Sequence, residues 1–246
     1  MKKAFACLWL MAVLVGCNTT ANHSEVDIEK NEAILKTTND PQGLVDFYKA
    51  ELAKQDGPRE RYKLAEAYLG IDDAESALFY MQPLIEEERL SATGYYLYGR
   101  ALAMQGEYLK ARHAILEAIV REEAMAEAHN FLGVLDAEQG RFDDARSAFN
   151  QARALLFDDV TIKNNLAVLD IYQQDYESAL NRLLPLWSNG LGDDRIRANM
   201  LLAMAKLGRY DDFRALVGSD REEFAVIDLY QALATSQPRS DGDGQE

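Results

Sequence analysis

The sequence predicts an all-α superhelical solenoid of about five 34-residue helix-turn-helix repeats, with a further helix closing each end. Three observations predict it. One constant spacing separates Gly99 from Gly133, Gly106 from Gly140, Tyr108 from Phe142, Ala111 from Ala145, Ile115 from Phe149 and Ala118 from Ala152. The same frame runs back to Ala65, Ala77 and Met81, and forward through Ala167, Tyr176, Ala179 and Leu183 to Leu201, Gly208, Tyr210, Phe213 and Val217. Within each unit the order is small, aromatic, small, large. A hairpin of that kind cannot bury its apolar face alone, so neighbours must stack.

Residues 1–16 read as a signal peptide. Lys2 and Lys3 precede an uncharged apolar run from Ala4 to Val15. As a helix that run is about 18 Å long, too short for the ~30 Å of a bilayer core. It ends Leu14-Val15-Gly16-Cys17, which resembles a bacterial lipobox. The resemblance implies lipidation of Cys17 and cleavage before it. An ordinary secretory signal with an incidental cysteine is the alternative, although Cys17 stands where the apolar run ends. Acyl chains contribute roughly 0.8 kcal/mol per buried CH₂, enough for stable membrane attachment. Asn18, in place of the aspartate that retains such proteins at the inner membrane of enteric-type bacteria, favours the outer membrane, facing the periplasm. Residues 17–40 read as the lipidated cysteine and a flexible tether.

Residues 41–57 read as one helix or a partial repeat, with Leu44, Phe47, Tyr48 and Leu52 on one face. The repeats follow at 58–91, 92–125, 126–159, 160–193 and 194–218. Small residues at Gly99, Ala111 and Ala118 let the helices of a hairpin close together. Gly106, Gly140 and Gly208 end first helices in the left-handed conformation that glycine adopts cheaply. Pro83 and Pro185 are expected to kink or end their helices, and Trp187–Asp194 to form a longer connection. Phe213 replaces the usual alanine, so the last hairpin is expected to splay. Residues 219–235 carry Phe224, Ile227, Tyr230 and Leu233 and read as a capping helix. Residues 236–246 are polar and read as disordered.

The repeat pattern resembles the tetratricopeptide repeat (TPR) over residues 58–218. The resemblance implies a concave face lined by the first helix of each repeat, there to bind another protein. Residues on that face outside the packing pattern are the candidate partner-binding groove: Tyr62, Tyr96, Arg100, Met104, Asn130, Val134, Glu138, Asn164, Asn165, Val168, Tyr172 and Asn199. An asparagine amide both donates and accepts, so it can pair with a peptide backbone. Tyrosine, methionine and valine supply apolar contact.

Composition excludes other classes. Asp and Glu outnumber Lys and Arg by 41 to 26, a net charge of −15 that becomes −17 once Lys2 and Lys3 are removed. Such a surface does not bind a phosphate backbone, whose affinity comes from basic residues. Cys7 and Cys17 are the two cysteines, so the folded part holds none. His23, His113 and His129 are scattered, without ligand spacing. There is no phosphate loop or nucleophile elbow. The expectation is a non-enzyme without cofactor, metal or small-molecule substrate.

Three strings resemble the TadD family, TPR lipoproteins of Tad/Flp pilus assembly: Asn164-Asn165-Leu166-Ala167, Leu184-Pro185-Leu186-Trp187, and Arg197-Ala198-Asn199-Met200-Leu201-Leu202-Ala203. In the family the last string more often reads Arg-x-Asn-Leu-Ala-Leu, so repeat five departs from it. The resemblance implies an accessory, pilotin-like role in assembling or localising the pilus secretin, a segment of which would be the partner. PilF-like pilotins of type IV pili and NlpI-like adaptors for proteases or peptidoglycan enzymes share the architecture and are the alternatives.

Overall fold

A computed structural model describes residues 19–218 and 221–236. Within them the only regular structure is helical. Helix α1 spans Thr19–Thr37 and α2 Pro41–Lys54. Then come five hairpins: α3 Pro58–Leu69 with α4 Ala74–Glu86, α5 Ala92–Met104 with α6 Tyr108–Arg121, α7 Ala126–Glu138 with α8 Phe142–Ala154, α9 Asp159–Tyr172 with α10 Tyr176–Ser188, and α11 Asp194–Lys206 with α12 Tyr210–Val217. Helix α13, Glu223–Thr235, packs on α11 and α12. The second helices start at Ala74, Tyr108, Phe142, Tyr176 and Tyr210, in strict step with the repeat frame.

Local chemistry sets these boundaries. Pro41 and Pro58 open α2 and α3, where a missing backbone N–H costs nothing. Asp73, Ser91, Asp158, Asp175 and Asp193 each accept a hydrogen bond from a backbone N–H in the first turn of the helix they precede. Between first and second helices the chain turns through positive φ at Asp72, Gly106, Gly140, Gln174 and Gly208, again once per repeat at one frame position. Three of the five are the glycines that the sequence marks. The hairpins close where the small residues stand: a Cβ on Gly133 would lie 2.6 Å from the Phe149 ring.

Three expectations change. Residues 17–40 do not form a flexible tether over their described part, because α1 is a helix. Ile28, Glu32 and Leu35 share its half-buried face, and Glu32 pairs with Lys36 at 2.7 Å and with Lys63 of α3 at 2.6 Å. In the repeat frame α1 and α2 are a complete hairpin ahead of the first expected repeat. Gly43, Phe47 and Ala50 fall in the small-large-small places, and a Cβ on Gly43 would meet the Leu35 side chain at 2.8 Å. Neither proline ends its helix: α4 runs on to Glu86 and α10 to Ser188. Pro83 follows shortly after Tyr80, whose carbonyl accepts from Arg61 Nη1 at 2.9 Å. The last hairpin is the loosest of the five, as Phe213 leads one to expect, and Phe213 is itself fully buried. Tyr230 of α13 covers it edge-on at 5.2 Å, beside the short α12.

The core is largest at the two ends. One cluster runs from Val45 to Ala101 and another from Ala167 to Val226, with two smaller ones between. The middle of the stack is therefore where forces besides apolar burial are needed.

Candidate functional site

First helices of neighbouring repeats touch one another, as α3 does α5, α7 does α9, and α9 does α11. Among the described residues no pair of second helices is comparably close. The first helices thus form the tighter, concave side, and their fifth, sixth and ninth positions line it.

The asparagines there form a ladder. Asn165 Nδ2 of α9 donates to Asn130 Oδ1 of α7 at 2.9 Å. One repeat on, Asn199 Nδ2 of α11 donates to Asn164 Oδ1 of α9, also at 2.9 Å. All four are half-buried. An amide has two donors and an acceptor oxygen with two lone pairs. Each rung therefore keeps further capacity: N–H donors at Asn130 and Asn164, and acceptors at Asn165 and Asn199. Val134 and Val168, both half-buried, flank the ladder.

Toward the N-terminal repeats the lining becomes aromatic. Tyr96 meets Phe131 edge-on at 6.2 Å, and the Arg100 guanidinium sits 5.7 Å over the Tyr96 ring. Burial pushes the Tyr96 hydroxyl above its ordinary pKa, although Arg100 pulls it down. Met104 and Glu138 are exposed near the turn edge.

Two candidates serve the joints instead. The Tyr62 hydroxyl accepts from Ser91 N at 3.0 Å, and its ring lies so close to Gly94 that a Cβ there would be 2.5 Å from Oη. Tyr172 stacks on Phe142 of the preceding repeat at 5.9 Å and 17°. Cys17 lies outside the described residues.

The sequence pattern leaves a second recurring feature unmarked, a pair of buried carboxylates. Asp136 is 1% exposed and Asp170 3%. Arg112 Nε of α6 donates to Asp136 Oδ1 at 2.8 Å, and Arg146 Nη2 of α8 to Asp170 Oδ1 at 2.9 Å. Each arginine sits in a second helix and reaches the first helix of the next repeat. Arg141 Nε adds a bond to Asp136 at 2.7 Å, and Arg182 Nε one to Asp170 at 2.5 Å. At the outer joints the same frame positions are apolar, Leu78 with Leu102 and Leu180 with Met204. The signal was present, since Arg112 and Asp136 both recur one repeat later, as Arg146 and Asp170. A charged residue reads locally as surface, however, and only the frame marks it as interior.

Among the described residues, no three or more His, Cys, Asp or Glu side chains are grouped to hold a metal ion. No helix there is long and apolar enough to cross a membrane.

No family model matches the chain, and no curated protein matches it. Solved structures do. A thermophilic TPR protein of Thermus thermophilus superposes with a TM-score of 0.63 at 20% identity, over 73% of this chain and 98% of that one. The fold is a tetratricopeptide-repeat solenoid. PilF of Pseudomonas aeruginosa matches this TPR stack with a TM-score of 0.61 at 17% identity, over 89% of this chain and 96% of that one. A chain of the APC/C hetero-tetramer Cut9-Hcn1 matches with a TM-score of 0.63 at 17% identity, over 83% of this chain and 39% of that one.

Proposed function

We propose that this TPR protein is an outer-membrane lipoprotein, anchored through Cys17 and facing the periplasm. In this reading its concave face holds a segment of a pilus secretin and assists assembly or localisation of the Tad/Flp secretin. The observation that carries the binding mode is the asparagine ladder of α7, α9 and α11. Its remaining donors and acceptors suit the backbone of an extended segment, and Val134 and Val168 suit apolar side chains beside it. The three strings that resemble TadD support the Tad assignment. The likeness in fold to PilF favours, as a second reading, a PilF-like pilotin.

The test pairs a pull-down with a genetic assay. The secretin's terminal region is expected to co-purify with the protein, and secretin multimers to be lost in a deletion strain. Asn130→Ala with Asn164→Ala is expected to weaken the complex about tenfold, as for two hydrogen bonds of about 0.5–1.5 kcal/mol each. Because both rungs are lost as well, the melting temperature should fall by only a few degrees. Normal multimers in the deletion strain would refute the pilotin reading. A large loss of thermal stability in the double variant would assign the ladder to packing.

A further inference from the structure

The ninth position of each repeat lines the concave face, and its residues follow an order: Glu66, Arg100, Val134, Val168 and Leu202. Glu66 is exposed and the other four are half-buried. Among the described residues no cation pairs with Glu66. None of their carboxylates pairs with Arg100, whose guanidinium lies over the Tyr96 ring instead. Along the groove the lining therefore runs acidic, basic, then apolar three times.

The asparagine ladder and the helix spacing together select the occupant's backbone. The remaining N–H donors of Asn130 and Asn164, and the acceptors of Asn165 and Asn199, need backbone groups that are not already paired. An α-helix has none to offer along its length. A β-strand has them, but it returns a side chain to one face about every 6.6 Å, whereas packed helices stand roughly 8–10 Å apart. A polyproline-II segment leaves its backbone groups open and turns once in three residues, about 9.3 Å. Of the three conformations it alone presents one side chain to each first helix in turn.

We infer, taking the concave groove as the binding site, that it selects a polyproline-II segment of its partner with a set order of side chains. A basic residue meets Glu66, an acidic one meets Arg100, and apolar ones meet Val134, Val168 and Leu202. Steps of three residues apply where first helices touch, from α3 to α5 and along α7, α9 and α11. Helices α5 and α7 approach each other less closely, and the Tyr96 and Phe131 rings meet across that gap. The charged pair and the apolar run are therefore two blocks joined by a longer step.

The test is an amide NMR titration of the purified protein with blocked synthetic peptides built on serine and glutamine. Each carries lysine and aspartate three residues apart, a flexible Gly-Ser join, and leucine at every third residue. The order is made in both chain directions, and the tighter binder is the reference. Saturable binding is expected. Moving the leucines to every second residue should weaken it at least about tenfold, since apolar contacts are lost. Replacing the peptide's aspartate with lysine should do the same, since a charge-assisted hydrogen bond is lost. Arg100→Glu should reverse the preference and favour the lysine peptide. Asn130→Ala with Asn164→Ala should weaken the reference peptide about tenfold. Equal affinity for the two leucine spacings, no preference for aspartate over lysine in the parent protein, or a folded Arg100→Glu that keeps the parent's preference would each overturn the inferred order. If the asparagine variant still weakens binding in those cases, the groove itself stands. No saturable binding, or binding indifferent to the asparagine variant, overturns both.

Discussion

Replacing Asp170 with methionine, the residue at the same frame position in repeat five, tests whether the central joints depend on charge. The substitution leaves Arg146 and Arg182 without their shared anion. Breaking a buried pair from one side costs about 3–5 kcal/mol. The two arginine side chains are 30% and 35% exposed, and Arg146 keeps a bond to Gln173 at 2.7 Å. Both can recover some hydration, so the lower end applies, about 3 kcal/mol. For a chain of this size that lowers the melting temperature by roughly 6–12 °C. Arg146→Leu combined with Asp170→Met rebuilds the Leu180–Met204 type of joint but leaves Arg182 without its anion, so it should return stability to within about 2 kcal/mol of the parent. Urea titrations followed by circular dichroism, with both variants and Arg146→Leu alone, close the double-mutant cycle. A cost below about 1 kcal/mol for Asp170→Met, or a double variant as unstable as the sum of the singles, contradicts a joint that depends on charge.

Further outcomes are expected. Gln174→Gly should stabilise the protein by about 0.5–1 kcal/mol, because Gln174 holds φ 61° where repeats two, three and five have glycine; a thermal melt at or below the parent's contradicts this. Burial alone would raise the pKa of Glu32, but hydrogen bonds from Lys36, Lys63 and Tyr48 outweigh it and lower the value from 4.5 to about 2. That depression stabilises α1 fully above about pH 4.5 and is lost as the pH falls through about 2, a change of about 1–2 kcal/mol once solvent screening of the exposed Lys36 is allowed for. Hydrogen exchange in residues 28–37 should accordingly lose protection between about pH 5 and pH 2, relative to the core of α9; equal behaviour of the two helices argues against it. Cys17→Ala should release the protein from the membrane fraction or leave the uncleaved precursor, and unchanged outer-membrane retention is incompatible with the anchor.

Residues of the main repeats were legible because their packing is steric and local. Gly99, Ala111 and Ile115 meet each other within one hairpin, and size alone betrays that. Helix α1 was not legible for the opposite reason. Its described apolar contribution is thin, and a contact distant in the chain, Lys63 to Glu32, helps to hold it. Gly43, Phe47 and Ala50 carried the frame that would have revealed its hairpin. The asparagines share one face of the first helices, but nothing in the sequence shows that Asn165 bonds Asn130 rather than standing alone. Tyr62 and Tyr172 look like binding residues when judged by residue type. The close approach of Gly94 and the stack on Phe142 became visible only once the repeats were assembled.

The charged joints also decide which parts of this protein are interchangeable. Removal of residues 126–159 would bring α9 directly behind α6 and set Arg112 against Asp170, a match of the same kind as before. Removal of 92–125 would set Leu78 against Asp136 and take Arg112 away from a buried carboxylate. A gene that grows or shrinks in whole units can therefore duplicate or delete its third repeat across like joints, whereas the boundaries toward repeats one and five are one-way couplings. The ion pairs act as a grammar of adjacency, ruling on which repeat is allowed to follow which.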